Sequence, residues 1–292
     1  MTKKVNIHFI ERKKMKPEKV INIHSHIDKH RDLKARIKNM KKWNIVRFCC
    51  LCMPDFCKDE YYTNDDFLAA KKDLGSLIVG LAAVNLHVYK IDSPQDIERY
   101  RNQGFVGLKF ILNCHPYDHE AYFPIYEKTQ QLNMPIIFHM GFLAKKSNHG
   151  EYKITSDNMR PWALDRITRT FPNLKLIGAH LGNPEMRVAI MMLERHENVY
   201  FDFSGECGDK YHVRDLKAAL GPPPGLPTDY TDPQENRALG WFEKLVFATD
   251  NPEPDIWIPN CEQIMDHLKI PDTLRKKFYF QTASDIFGWK DL

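Results

Sequence analysis

Eight short apolar runs, rich in β-branched and aromatic residues, recur along the chain with helical stretches between them. This alternation constrains the fold more than any other feature. The runs occupy 20–27, 44–51, 77–84, 106–111, 134–139, 174–180, 198–204 and 245–250. The helical stretches between them occupy 29–42, 65–74, 94–102, 120–132, 160–170, 184–196 and 234–243. A parallel strand pair needs a crossover, usually a helix, so the repeated order implies a parallel sheet. Eight such units in 292 residues predict a closed (β/α)8 TIM barrel, a single domain over 1–292. Asn183-Pro184 reads as a helix start, a capping side chain followed by proline at the first helical position. Two stretches fall outside the alternation. Residues 1–19 read as a short N-terminal extension, and the Pro-rich stretch 221–233 as an insertion between strands 7 and 8. That insertion follows a barrel strand, which predicts a lid or an oligomer contact on the loop face.

Composition excludes several classes. With 17 Phe, 12 Tyr and 5 Trp the chain has ample surface for a core. Its longest clean apolar run, 77–84, is far short of the ~20 residues that span a bilayer, and no secretory pattern opens the sequence, so a cytoplasmic protein without a membrane partner is expected. The net charge of +4 hides 15 basic against 4 acidic residues in 1–47. The basic segment 29–42 reads as a solvated helix whose Leu33, Ile37 and Met40 face the core. A polyanion-binding barrel is the remote alternative. No stacking aromatics interleave the charges, so no nucleic-acid partner is expected. Of seven cysteines, four crowd into Cys49, Cys50, Cys52 and Cys57 without paired zinc-finger spacing; they read as buried reduced thiols.

The chemistry sits at strand ends. His24 and His26 are two residues apart on strand 1, which places both imidazoles on one face, the barrel interior. Strand 5 ends in His139, strand 6 in His180 and strand 8 in Asp250, positions that a barrel turns toward its C-terminal mouth. Histidines and a carboxylate converging there are costly as unpaired core, several kcal/mol by order of magnitude, and point to a metal ion.

These residues carry a resemblance. His24-Ser-His26, Gly107-Leu-Lys109-Phe, Phe123-Pro-Ile-Tyr-Glu127, Pro135-Ile-Ile-Phe-His139, Phe171 through Gly182 with His180, and Phe247-Ala-Thr-Asp250-Asn-Pro occur in the order found in the amidohydrolase superfamily. The chain resembles its amidohydrolase-2 branch, which includes aminocarboxymuconate-semialdehyde decarboxylase-like proteins. The resemblance implies a mononuclear metal site held by His24, His26, His139 and Asp250, with His180 acting just outside as acid/base or polarising donor. It also implies a homodimer. Asn22 stands where the family usually has Asp, and Gln281 where it usually has Asn. The nitrogen-rich set favours Zn2+, with Mn2+, Fe2+ and Co2+ compatible; no organic cofactor is expected.

Lys109 leaves three readings open: a carboxylated lysine bridging two metals, a contact to a substrate carboxylate, or a structural lysine paired with an acid. Arg160 either grips a substrate carboxylate or opens a helix. Asp202, Ser204 and Glu206 alternate toward the mouth of strand 7, where one can hydrogen-bond a ligating histidine. Asn251 is placed to orient Asp250. Asn85 and His87 are expected to end strand 3, and His115, His119 and His149 to be exposed. The expected activity is metal-dependent hydrolysis of a small carbonyl compound (amide, lactone or ester), the partner being a small carboxylic acid or its derivative. The alternative is non-oxidative decarboxylation of an unsaturated or aromatic acid at the same site.

Overall fold

The computed structural model describes residues 16–143, 150–205, 210–221, 237–251 and 253–292. Most of the expected N-terminal extension, nearly all of the Pro-rich insertion, and His149, Glu206 and Cys207 lie outside these residues.

Seven parallel strands pair in chain order: β1 Val20–Ser25, β2 Ile45–Leu51, β3 Ile78–Ala83, β4 Gly107–Phe110, β5 Ile136–Phe138, β6 Leu176–Gly178 and β7 Val199–Phe201. The helices are α1 Leu33–Lys42, α2 Asn64–Leu74, α3 Pro94–Asn102, α4 Phe123–Gln131, α5 Ala163–Thr170, α6 Met186–Arg195, α7 Lys210–Leu220, α8 Arg237–Phe242, α9 Pro254–His267, α10 Asp272–Lys276 and α11 Thr282–Phe287. The curled parallel sheet with its helices is a TIM barrel, as the alternation implies. None of the described helices is long and apolar enough to cross a membrane.

The eighth strand departs from expectation. Residues 245–250 close the ring by single bridges, Phe201 to Leu245 and Ser25 to Asp250, and form no continuous ladder. The reason is where their amides go. Phe247 N–H bonds Phe278 O at 3.0 Å, and Thr249 N–H is shared between the Asn22 side chain at 3.2 Å and His24 O at 3.3 Å. Val246 N–H to Phe201 O (3.0 Å) and Asp250 N–H to His24 O (2.7 Å) still tie the segment to both neighbours.

Side-chain alternation sorts the core into two layers. Ile21, Ile23, Cys49, Leu51, Leu81, Ile137, Ile177, Val246 and Ala248 fill the barrel, joined by Ala283 and Ile286 of α11. The opposite strand faces, including Phe48, Leu108, Phe110, Phe138 and Phe201, pack against the helices. Local signals set helix starts: Thr63 with Asp66 and Ser93 with Asp96 form capping boxes at α2 and α3, each cap worth about 1 kcal/mol.

Two local expectations are corrected. Helix α6 begins at Met186 with Glu185 at its cap, so Pro184 precedes the helix and is not its first residue. Strand β3 ends at Ala83; Asn85 is turned away by hydrogen bonds to the Asp92 carboxylate, and His87 pairs with Lys90 in a short antiparallel hairpin. The basic segment behaves as read, with Met40 buried and Leu33 and Ile37 against the core, but Arg36 is buried too.

Candidate metal centre

Strand β1 reaches the mouth through a bulge. Asn22 pairs with Phe48 and Ser25 with Cys50, so three steps on β1 match two on β2. The extra residue reverses the inward parity. Before it Ile21 and Ile23 face the barrel; after it His24 and His26 do, and Ser25 turns outward. Bulges commonly re-aim side chains in this way beside active sites.

Each of the four site histidines has one ring nitrogen beside an acceptor. His24 Nδ1 lies 3.0 Å from Asp202 Oδ2, and His26 Nδ1 lies 2.9 Å from Leu51 O. His180 Nδ1 lies 3.0 Å from Ser204 O, and His139 Nε2 lies 3.3 Å from Phe142 O. Carbonyls, and a carboxylate held ionised, can only accept, so these nitrogens carry the ring protons. In the neutral form of each ring the remaining nitrogen is bare. His24 Nε2 and His26 Nε2 lie 3.7 and 3.6 Å from Asp250 Oδ1, while His139 Nδ1 and His180 Nε2 face each other at 3.3 Å. Lone pairs set against lone pairs and a carboxylate make a donor set that calls for a cation.

Electrostatics agree with that assignment. Burial, then the Lys109 charge, lowers the His24 pKa; burial pushes His26 down to about 3. Burial and the neighbouring His180 hold His139 well below its usual value. For Asp250, burial is outweighed by His24, His180, His26 and Lys109, leaving the carboxyl more acidic than usual. For Asp202, burial is likewise outweighed by the neighbouring His24 and its hydrogen bond, then by His180 and Ser204.

Asp202 is the hub of the site. One oxygen holds His24, and the other accepts from His180 N–H at 3.0 Å, Ser204 N–H at 2.9 Å and Ser204 Oγ–H at 2.6 Å. His180 and Asp250 both have positive φ, 59° and 57°, which turns their side chains out of the plain strand alternation. At Gly205 a Cβ would meet His180 Nδ1 at 2.7 Å, so only glycine lets the chain pass so close to the ring. Asn22 spans the β1 seam, donating to Thr249 Oγ1 at 2.8 Å and accepting from Thr249 N–H.

Not every anticipated residue joins the cluster. Among the described residues, His24, His26 and Asp250 form one group, and His24, His180 and Asp202 another, with ligand atoms within 4.8 Å; His139 belongs to neither and instead abuts His180. Lys109 is fully buried, with no hydrogen-bond partner for its amine; burial lowers its pKa to about 8, while Asp250 and Asp202 hold it up. Arg160 is half exposed and engaged by Glu185 at 3.0 Å and Asp157 at 3.4 Å. Gln281 is bonded to Asp285 and Asn251 weakly to Asp250, at 2.9 and 3.4 Å. His115 and His119 stack on each other in a loop. Sequence reasoning missed Gly205 and Arg36, whose roles depend on partners far away in the chain.

The amidohydrolase-2 family model, described as Amidohydrolase, matches residues 55–289. The chain belongs to the amidohydrolase family. Its members are enzymes, and so is this protein. Among solved structures it is similar to 2,6-dihydroxybenzoate decarboxylase from Rhizobium (15% identity, TM-score 0.60, covering 94% of this chain and 99% of that one). It is also similar to a probable 2-pyrone-4,6-dicarboxylic acid hydrolase from Acinetobacter baumannii with citric acid bound (14%, TM-score 0.58, 92% and 99%). A third is a dihydroxybenzoic acid decarboxylase from Polaromonas with bound manganese and 2-nitroresorcinol (16%, TM-score 0.57, 90% and 87%). No curated protein sequence matches the chain.

The amidohydrolase match begins after His24 and His26, yet the fold brings that pair onto Asp250, inside the matched span. The donor set fits a divalent metal ion: bare imidazole nitrogens, an ionised carboxylate, and outward nitrogens anchored as metal-ligating histidines require.

Proposed function

We propose that this amidohydrolase is a metal-dependent hydrolase of a small carbonyl compound bearing a carboxylate. The observation that carries the reading is the cluster of ring nitrogens beside Asp250, two of them within 3.7 Å of its carboxylate, a site rich in proton acceptors. His24, His26 and Asp250 hold the ion, with His139 completing the set from β5. The nitrogen-rich donors suit zinc best; manganese is the ion bound in the Polaromonas decarboxylase. A bound divalent ion supplies Lewis acidity, polarising a carbonyl oxygen and bringing the pKa of a water toward about 7. Asp250 accepts the proton of the attacking water. His180, its Nδ1 anchored on Ser204 O, takes or returns a proton at Nε2. The unpartnered Lys109 amine offers charge to the substrate's carboxylate. The small acids named with the structural neighbours support that substrate class.

Non-oxidative decarboxylation is the second reading, favoured by the same buried Lys109 cation and by the decarboxylases that share the fold. There the bond to the carboxylate carbon breaks, CO2 leaves, and a proton from His180 or Asp250 replaces it on carbon. Product analysis separates the two. With a panel of small lactones, amides and aromatic acids, hydrolysis places solvent 18O in a new carboxylate, and CO2 release without that label overturns it. Asp250→Asn abolishes either activity; full activity in that variant refutes the site.

A further inference from the structure

Arg36 is a charged side chain buried on the outer face of the barrel, 6% exposed, in a helix otherwise covered with solvated lysines. Its guanidinium makes two hydrogen bonds at the end of β1 and one ion-pair contact with an acidic side chain. One Nη donates to the carbonyl of His26, the other to Ser25 Oγ at 2.5 Å, and Nε pairs with Glu253 Oε1 at 3.4 Å. Its plane lies over Phe48, with 5.3 Å from the guanidinium carbon to the ring centroid. Ser25 passes the contact on, its hydroxyl donating to the carbonyl of Asp250 at 2.6 Å.

That carbonyl belongs to a residue held at φ 57°. A non-glycine residue keeps such a backbone conformation only where its surroundings over-determine it. Two bonds do so here: Asp250 N–H to His24 O and Ser25 Oγ–H to Asp250 O. The second depends on a hydroxyl whose lone pair is fixed by Arg36.

We propose that Arg36 is a positioning residue for the metal centre: through Ser25 it holds the left-handed backbone of Asp250, and so aims that carboxylate between His24 and His26. This rests on the metal-site reading above. Lysine at position 36 keeps the charge facing Glu253 but lacks the planar fork that reaches His26 and Ser25 together. Methionine keeps most of the apolar stem and removes the fork.

The test measures zinc and manganese dissociation constants by chelator competition, with thermal midpoints of the same proteins, for wild type, Arg36→Met, Arg36→Lys, Ser25→Ala and Arg36→Met/Ser25→Ala. Outer partners of metal ligands typically govern about 10–100-fold of affinity. We expect a loss of that size in Arg36→Met, a comparable loss in Ser25→Ala, and no additional loss in the double variant. Arg36→Lys stays within a few-fold of Arg36→Met. Unchanged metal affinity with only a lowered midpoint makes Arg36 merely structural and overturns the proposal. So does full rescue by lysine, or additive losses in the double variant. If Arg36→Met fails to fold, Ser25→Ala decides: metal affinity within twofold of wild type overturns the relay. A wild type that binds neither ion refutes the metal-site reading itself.

Discussion

The two halves of the centre are built differently. On the β1 side, His24 is fixed by a buried carboxylate and His26 by a strand carbonyl, while Asp250 is pinned by its own amide and by Ser25. On the β5–β6 side, His139 leans on a loop carbonyl at 3.3 Å, and Phe142, which supplies it, is 70% exposed. His180 relies on Ser204 O and on the close passage of Gly205. The first half is anchored by buried groups at and beside strand ends, and the second by the loop segments that follow β5 and β7. Loops are where specificity and adaptation reside in barrels, so the first half reads as the fixed part of the proposed metal platform and the second, which adds His139 to it, as the part that also meets substrate.

Among the described residues Asp202 is the group that bonds both halves, and removing its charge tests the contrast most severely. Asp202→Asn leaves the volume unchanged but replaces the anion that bonds His24 Nδ1, His180 N–H and Ser204. We expect metal affinity to fall about 10–100-fold, with a larger loss of turnover, since His180 is released as well. Metal titration beside kcat at saturating metal checks this. If metal affinity stays at the wild-type level while turnover falls, Asp202 supports only the His180 side.

The rigid half also leaves a mark on pH dependence. His26 is buried and its pKa lowered to about 3, against about 6.5 in an unfolded chain. Below 6.5 the unfolded state takes up a proton that the folded state refuses. The stability tied to His26 is therefore intact above about pH 6.5 and is lost as pH falls toward 3. The slope for one such group is at most about 1.4 kcal/mol per pH unit. In metal-free protein, denaturant unfolding at pH 7, 6 and 5 should show this loss, and His26→Asn should flatten it. Equal slopes in the two proteins would mean that His26 titrates as freely in the folded state as in the unfolded chain.

Much of this was legible in the sequence because local pattern reports burial. Seven of the eight expected strands are present, each within the run that announced it, and His24, His26 and Asp250 converge as their strand ends implied. What escaped depends on long-range partners. The missing ladder in 245–250 is decided by Phe278, which takes the Phe247 amide, and by Asn22, which shares the Thr249 amide with the His24 carbonyl. The β1 bulge exists only in the register between two strands. The inward pointing of both histidines was anticipated from strand period, but the bulge brings it about. Arg36 looked like its solvated neighbours because nothing in its own helix tells of the His26 carbonyl or Glu253. His180 escapes strand alternation through positive φ, a backbone state that strand periodicity does not report.

Arg160 provides the smallest expected effect and limits how far the loop half extends. The sequence offered it as a clamp for a substrate carboxylate. The structure gives its guanidinium two anionic partners, Glu185 and Asp157, with the side chain half exposed to water. Exposed pairs of this kind contribute little, because solvent screens the attraction and ordering two long side chains offsets it. Lys109 differs on each count: it is buried, without a hydrogen-bond partner, and within the electrostatic reach of both site carboxylates. A substrate carboxylate reaching Arg160 must displace Glu185, whereas one reaching Lys109 displaces no hydrogen bond. Arg160→Ala should therefore leave the thermal unfolding midpoint and KM for a carboxylated substrate near wild type. Lys109→Met, by contrast, should raise that KM. A tenfold rise in KM in Arg160→Ala at unchanged kcat would move the anion clamp to Arg160 and extend the substrate-facing half of the centre to the segment between β5 and α5.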